Sequence, residues 1–514
     1  MERRRLTTEV RVVAALATLY AVAVALLAAS RVREFADETD NLLGGLLIAR
    51  GERLYVDYFS SHMPFAYYLS AIPALLGATS LEHFRLFSNA LLVATTLGVV
   101  YALRKDLALV TLGAWATLTV FAHTLQWGEM LTAGTIAGFG VLGAGLIFYS
   151  APRLRFTSSK LIGLSAAVFV ALQSELLAFF PLLVLGASFV GVRVLELIRG
   201  ERSVSEIVRE TAILLVAVAA PHIAFIAIFW LSGALPDFIF DAYQFNVAAY
   251  SQFVMNSTVL GMLHDWEAQY RAYLQLSLED PLGLQTCLIV GNLLAVWVVF
   301  RGRGPVAATL YYLFVALTRV RNADAYYLCS YFSLALVLTY LLDKLRHRPR
   351  RVGVLFAGIA ALVGMNFIVQ VASTYDFSRR PIDSPDLPVI KSLTTSGEKI
   401  FVAPYDPYVY LASERMPASR YPFYFPWQAV DPRSENILLA DLSAQRPPLI
   451  VFRRNELVNG QWRTGEYGAN VYDFLISLGY APLDPASARL DDILVRQDRL
   501  AAARQQLQVT AVRP

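Results

Sequence analysis

Charge is scarce in this chain. Only 16% of its 514 residues are Asp, Glu, Lys or Arg, against about 25% in a soluble domain. Cysteine is nearly missing. The two present, Cys287 and Cys329, both fall inside apolar runs. That excludes a disulfide framework and a cysteine-based metal site, and leaves buried thiols packing as small apolar groups. Basic excess is small: 44 Lys and Arg against 40 Asp and Glu give a net charge of +4. The basic residues sit mostly in short loops, so no nucleic-acid partner is expected. There is no P-loop, no dinucleotide fingerprint and no HExxH. No internal repeat or low-complexity tract is present.

Apolar sequence is plentiful: 56% of the residues are hydrophobic, with a mean hydropathy of +0.49. Many runs approach the roughly 20 residues that cross a bilayer. Such runs must be helices, because lipid offers no partner to an unpaired backbone group. The first run, about 10–30, is longer than the core of a cleaved signal peptide and reads as an uncleaved span. Residues 65–78 are apolar but short, and Pro73 and Gly77 interrupt them. They read as a re-entrant or interfacial helix. Further spans are expected near 82–103, 107–123, 130–150, two within 161–198 on either side of Gln173-Ser174-Glu175, then 211–232, 282–300, 305–317, 326–342 and 352–372. Gly134, Gly138, Gly140, Gly143 and Gly145 in the span near 130–150 suit close helix packing.

With 65–78 not crossing, the basic loops at Arg104, Arg153, Arg199, Arg301 and Lys344 all share the side of Met1. By the positive-inside rule that side is the cytoplasm. The expected fold is a polytopic α-helical membrane protein of about 11 transmembrane helices, residues 1–372, with a first outer loop at 31–81. A small C-terminal α/β domain, 373–514, follows outside the cytoplasm. Strands are expected near 399–405, 448–454 and 492–497, and helices near 386–396, 433–444 and 470–478.

Polar groups converge on the outer side of this arrangement. Asp37 and Glu38 directly follow the first span. An aspartate at an apolar boundary can take a proton from an attacking hydroxyl, and partial desolvation would make it a better base. Arg319 and Arg321 lie outside, against the positive-inside trend. Guanidinium groups bind phosphate in a bidentate fork, and Tyr326 and Tyr327 follow as further donors. Glu129 begins a helix, where an anion is favoured, and Glu175 interrupts an apolar block, where a charge is costly. His62, Asp57 and Arg85 complete the candidates.

Four stretches resemble one family. The first is Asp37-Glu38 followed by G-E-R-L-Y-V-D-Y at 51–58 and H-M-P at 62–64. The second is the short apolar helix ending near Gly77, then Arg85-Leu86-Phe87-Ser88. The third is Arg319 and Arg321 with Tyr326-Tyr327-Leu328. The fourth is G-E-K-I-F-V-A-P-Y-D-P-Y at 397–408 with Arg420-Tyr421-Pro422. Together they resemble the GT-C superfamily of membrane glycosyltransferases, of the dolichyl-phosphate-mannose–protein mannosyltransferase and aminoarabinose transferase type. Met63 stands where that family often has proline, and Gln173-Ser174-Glu175 where many members carry a basic step.

The resemblance implies a polyprenyl-phosphate sugar donor, inverting transfer, and a glycan, lipid or protein acceptor. Asp37 would be the base, with Glu38 supporting it or binding the acceptor. Arg319, Arg321 and Tyr327 would hold the donor phosphate. Other substrate contacts would come from His62, Arg85, Glu129, Glu175 and Asp57. No cofactor is expected, and no metal site; a divalent metal stays open for a diphosphate donor. The plasma membrane is the expected location. A lipid-linked sugar flippase and a non-catalytic glycan-binding subunit are the rival classes, although one-sided clustering of polar groups suits an enzyme better than a transporter.

Overall fold

The structure, a computed structural model, describes residues 36–103, 130–151, 154–254, 386–487 and 492–511, with isolated positions elsewhere. The described residues fall into two compact units. One draws on Arg85–Ile228; the other on Arg33–Phe84, Phe229–Ser257 and Arg380–Pro514.

In the first unit, α4 (Ala133–Ser150), α5 (Ser158–Ser174), α6 (Phe179–Ile198) and α7 (Val204–Leu231) are helical. Thr132 and Thr157 cap α4 and α5, each side chain accepting a backbone N–H three residues on. Gly140 lets α4 meet α5: a Cβ there would lie 2.5 Å from the Ala171 nitrogen. The packing role expected of these glycines holds at Gly140 and at Gly143, which faces Ala167. The polar step at 173–175 does break the apolar block. Helix α5 ends at Ser174, Glu175 is extended, and a 3₁₀ turn at Leu176–Ala178 leads into α6. Leu176–Ile198 and Val204–Leu231 are long and apolar enough to cross a membrane. Arg193, 2% exposed, is compensated by Glu196 at 2.5 Å, Glu210 at 3.2 Å and the Leu154 carbonyl at 2.8 Å.

The second unit begins with α1 (Ala36–Ala49) and α2 (Phe65–Leu75). Asp37 and Glu38 occupy the first turn of α1, where the helix dipole favours acids. Gly44 and Gly45 cost α1 roughly 1 kcal/mol each in propensity. They also let α2 approach: a Cβ on Gly45 would sit 2.5 Å from the Ser70 Cβ and 2.6 Å from its carbonyl carbon. Gly45→Val is therefore expected to force the two helices apart and lower stability by about 1–3 kcal/mol. Thermal melts of purified protein in detergent check this; an unchanged midpoint would contradict the packing described.

Helix α2 ends at Leu75, two residues before Gly77 turns the chain with a φ of +95°. Helix α3 (Leu81–Leu103) starts in this unit and carries Arg85. Residues 235–254 form a short helix, α8 (Leu235–Ile239), two π-helical turns (Phe240–Gln244 and Asn246–Tyr250) and a last turn to Val254. Phe238, Asp241, Ala242, Phe245 and Ala249 are buried along one side of this segment.

A five-stranded sheet completes the unit, in the order β2 (Met416–Pro417), β1 (Lys399–Ala403), β3 (Leu449–Phe452), β7 (Ile493–Arg496) and β6 (Tyr480–Pro482), while β4 (Leu457–Val458) and β5 (Trp462–Arg463) pair separately. Strand β1 runs parallel to β2 and β3. Strand β7 lies antiparallel to β3 and to β6. The three expected strands are thus β1, β3 and β7. The three expected helices appear at Leu387–Leu393, Pro432–Gln445 and Ala469–Ser477. Strand β1 is buried on both faces, with Ile400, Phe401, Val402 and Ala403 all fully inaccessible, as a central parallel strand should be.

Candidate functional site

The 51–64 stretch is a clamped loop. Gly51, with a φ of +97°, turns the chain out of α1. Asp57 accepts from the Arg53 backbone N–H at 2.9 Å and from its guanidinium at 3.1 Å. Between them Tyr55 takes a left-handed φ of 70° although it is not glycine. Such strain persists only where surroundings hold it. Here the Tyr55 ring is fully buried against Phe229 and Phe238, and its hydroxyl donates to the His62 carbonyl at 2.8 Å. The loop is then tied to the C-terminal chain: the Phe59 N–H donates to the Arg420 carbonyl at 2.7 Å, and the Phe59 ring packs at a tilt against Tyr421. The first and fourth stretches noted in the sequence therefore meet.

At the head of this loop lies a buried acid that sequence reasoning missed. Asp40, 2% exposed, sits one turn beyond Asp37 on α1. Tyr58 donates to its Oδ1 at 2.5 Å, and Tyr67 from α2 donates to its Oδ2. Tyr67 in turn accepts from the Ser60 hydroxyl at 2.7 Å, and Ser60 accepts the His62 backbone N–H at 3.0 Å. Tyr405, just after β1, donates to the Ala36 carbonyl at 3.1 Å, and the Thr39 hydroxyl donates to the same oxygen. The first turn of α1 is thus held from both sides.

Burial raises the Asp40 pKa above its ordinary 3.8, while the His62 charge and the two tyrosines pull it down. Burial, with the charge on Asp40 next, pushes both Tyr58 and Tyr67 well above 10, so both stay protonated and donate. A raised carboxyl pKa means that the folded state holds a proton that the unfolded chain loses. The contribution of Asp40 to stability is therefore fully present below about pH 4 and is lost as pH rises through its folded value. Melts of wild type and Asp40→Asn from acid to neutral pH are expected to show a shallower decline in the variant. Parallel curves would contradict this.

The expected residues are placed as follows. Asp37 is exposed on the first turn of α1, so the desolvation expected there falls instead on Glu38, fully buried, and on Asp40. His62 is half-buried beside the network. Asp57 is engaged by Arg53. Arg85 is 4% exposed in α3. Glu175 is half-buried at the break after α5. Glu129, Arg319, Arg321 and Tyr327 lie outside the described residues. Among the described residues no group of three or more His, Cys, Asp or Glu side chains is arranged to hold a metal ion.

A second missed cluster anchors the 235–254 segment. Arg420 reaches Asp241 at 2.6 Å and Asp237 at 3.3 Å, and Arg433 reaches Asp237 at 2.9 Å. Asp241 is fully buried.

No protein-family model matches the chain, and no curated protein sequence matches it. Among solved structures it is similar to ArnT from Cupriavidus metallidurans bound to undecaprenyl phosphate. The TM-score is 0.45 at 14% identity, covering 79% of this chain and 85% of that one. It is also similar to the archaeal oligosaccharyltransferase AglB from Archaeoglobus fulgidus, in complex with an inhibitory peptide and a dolichol-phosphate. There the TM-score is 0.44 at 13% identity, covering 84% of this chain and 69% of that one. Both similarities are distant.

Proposed function

We propose that this chain is an integral membrane glycosyltransferase. It moves a sugar from a polyprenyl-phosphate donor to an acceptor hydroxyl on the outer face of the membrane, with inversion. One observation carries the reading: the acidic first turn of α1, with Asp37 open to solvent and Asp40 locked beneath it by two tyrosines. A reacting hydroxyl can approach Asp37, while the turn that presents it is fixed by Tyr405, Tyr58 and Tyr67. The sequence adds the motif around 51–64 and the lack of any nucleotide fingerprint, which suits a donor delivered within the membrane.

In the proposed step Asp37 takes the acceptor proton as that oxygen attacks the anomeric carbon. The bond from carbon to the phosphate oxygen breaks, and the leaving polyprenyl phosphate keeps the electron pair. Arg319 and Arg321 stabilise its charge, with Tyr327 as a further donor. Glu38 supports the base or binds the acceptor. Cells lacking the chain are expected to accumulate one polyprenyl-monophosphate sugar, seen by mass analysis of their lipids. An unchanged lipid-linked sugar pool would count against the proposal.

A further inference from the structure

We infer that Asp40 is a positioning residue of this site: its carboxylate fastens the turn that carries Asp37 to the 51–64 loop through Tyr58 and to α2 through Tyr67. The inference rests on the glycosyltransferase reading and deepens it. A fully buried carboxylate is an expensive way to join a helix to its neighbours. An apolar residue at position 40 would pack with less cost. What the acid adds is direction: its two oxygens each accept one phenol, from two different parts of the chain.

The surroundings are suited to holding that geometry. Gly44 is needed beneath it, because a Cβ there would run into the Tyr67 ring. Ser60 fixes the Tyr67 hydroxyl from the far side. The Ala36 carbonyl, at the start of the same turn, is held by Tyr405. The charged or titratable groups facing Asp40 are Asp37 on its own helix, Tyr58 and His62 from the loop, and Tyr67 from α2. Tyr405, from the chain after β1, lies close enough to feel the charge of both Asp40 and Asp37. Glu38 is buried two residues away. Asp37 and Asp40 are three residues apart on one helix, so they lie on the same side of it. Any tilt of the turn that frees Asp40 therefore moves Asp37 as well.

The test uses full-length protein in membranes, with a polyprenyl-monophosphate sugar as donor, and compares wild type, Asp40→Asn, Tyr67→Phe and the double variant. A misplacement near 1 Å can cost about 100-fold in rate. Asp40→Asn and Tyr67→Phe are each expected to lower kcat roughly 10- to 100-fold. The donor KM should stay within about two-fold in both, and the melting midpoint of Asp40→Asn at neutral pH should not fall, because geometry rather than binding or folding is lost. The double variant should be little worse than either single one, since both break the same link. Unchanged kcat in Asp40→Asn overturns the inference and leaves the glycosyltransferase reading standing. A fall in the melting midpoint of Asp40→Asn that matches its loss of rate also overturns it, by making the role one of stability alone. Absence of transfer by the wild type overturns the reading itself, and the inference with it.

Discussion

Asp37→Asn is expected to lower sugar transfer by about 10²–10⁴-fold while the protein accumulates and melts as the wild type does. The amide keeps the size of the side chain but cannot take a proton. Asp37 is exposed, so its replacement empties no cavity and strands no buried partner. Its place on the first turn of α1 is kept by Tyr405 and Thr39, which bond to the Ala36 carbonyl, and by the tyrosines on Asp40. Loss of rate without loss of protein is thus the mark of a base. Kinetics in membranes, with protein level measured by blot, separate the two. Glu38→Gln makes a useful contrast: Glu38 is fully buried, so a fall in protein level is the expected companion of any fall in rate.

Arg420→Ala is expected to be strongly destabilising. Asp241 is fully buried, and Arg420 reaches it at 2.6 Å. Removing one partner of a buried pair leaves the other charge uncompensated, at roughly 3–5 kcal/mol. Burial already pushes the Asp241 carboxyl up to about 8 against the pull of Arg420. Without that pull the buried carboxyl either stays charged and unpaired or must take up a proton, and either costs stability. The sign of the rescue follows: Asp241→Asn should restore much of the stability lost in Arg420→Ala, because a neutral amide needs neither a cation nor a proton in that buried place. Arg420 also carries the carbonyl that receives the Phe59 N–H. The alanine keeps that carbonyl, so the variant reads the side-chain ion pair and leaves this backbone bond in place. Melts of the two single variants and the double variant measure this directly. A double variant less stable than Arg420→Ala would contradict the ion-pair account.

Local features of this fold were legible in the sequence where one stretch decides its own structure. Strands β1, β3 and β7 are short apolar runs between turn residues, and each was expected within a few residues of where it lies. The break at 173–175 was legible because polar residues interrupt an apolar block. The end of α2 was legible from Gly77. What the sequence concealed depends on distant partners. Asp40 looks like an ordinary acid near a helix start. Its burial is set by Tyr58 and Tyr67, 18 and 27 positions away. Arg420 and Asp241 are 179 positions apart, and nothing local marks them as a pair. Partial desolvation was expected at Asp37, which is exposed; the cover that α2 and the 51–64 loop lay over α1 reaches Glu38 and Asp40 instead, and no local pattern marks where that cover begins. The π-helical turns from Phe240 to Tyr250 carry no periodic signal that separates them from an α-helix.

Transfer of sugar from a polyprenyl-phosphate donor through Asp37 is the central claim for this chain. The most direct measurement is the release of polyprenyl monophosphate by purified protein in lipid nanodiscs, followed together with formation of the glycosylated acceptor. The expected result is equal amounts of the two products from the wild type, inverted configuration at the anomeric carbon, and neither product above background from Asp37→Asn. Equal release by wild type and Asp37→Asn, or retained configuration in the product, would contradict it.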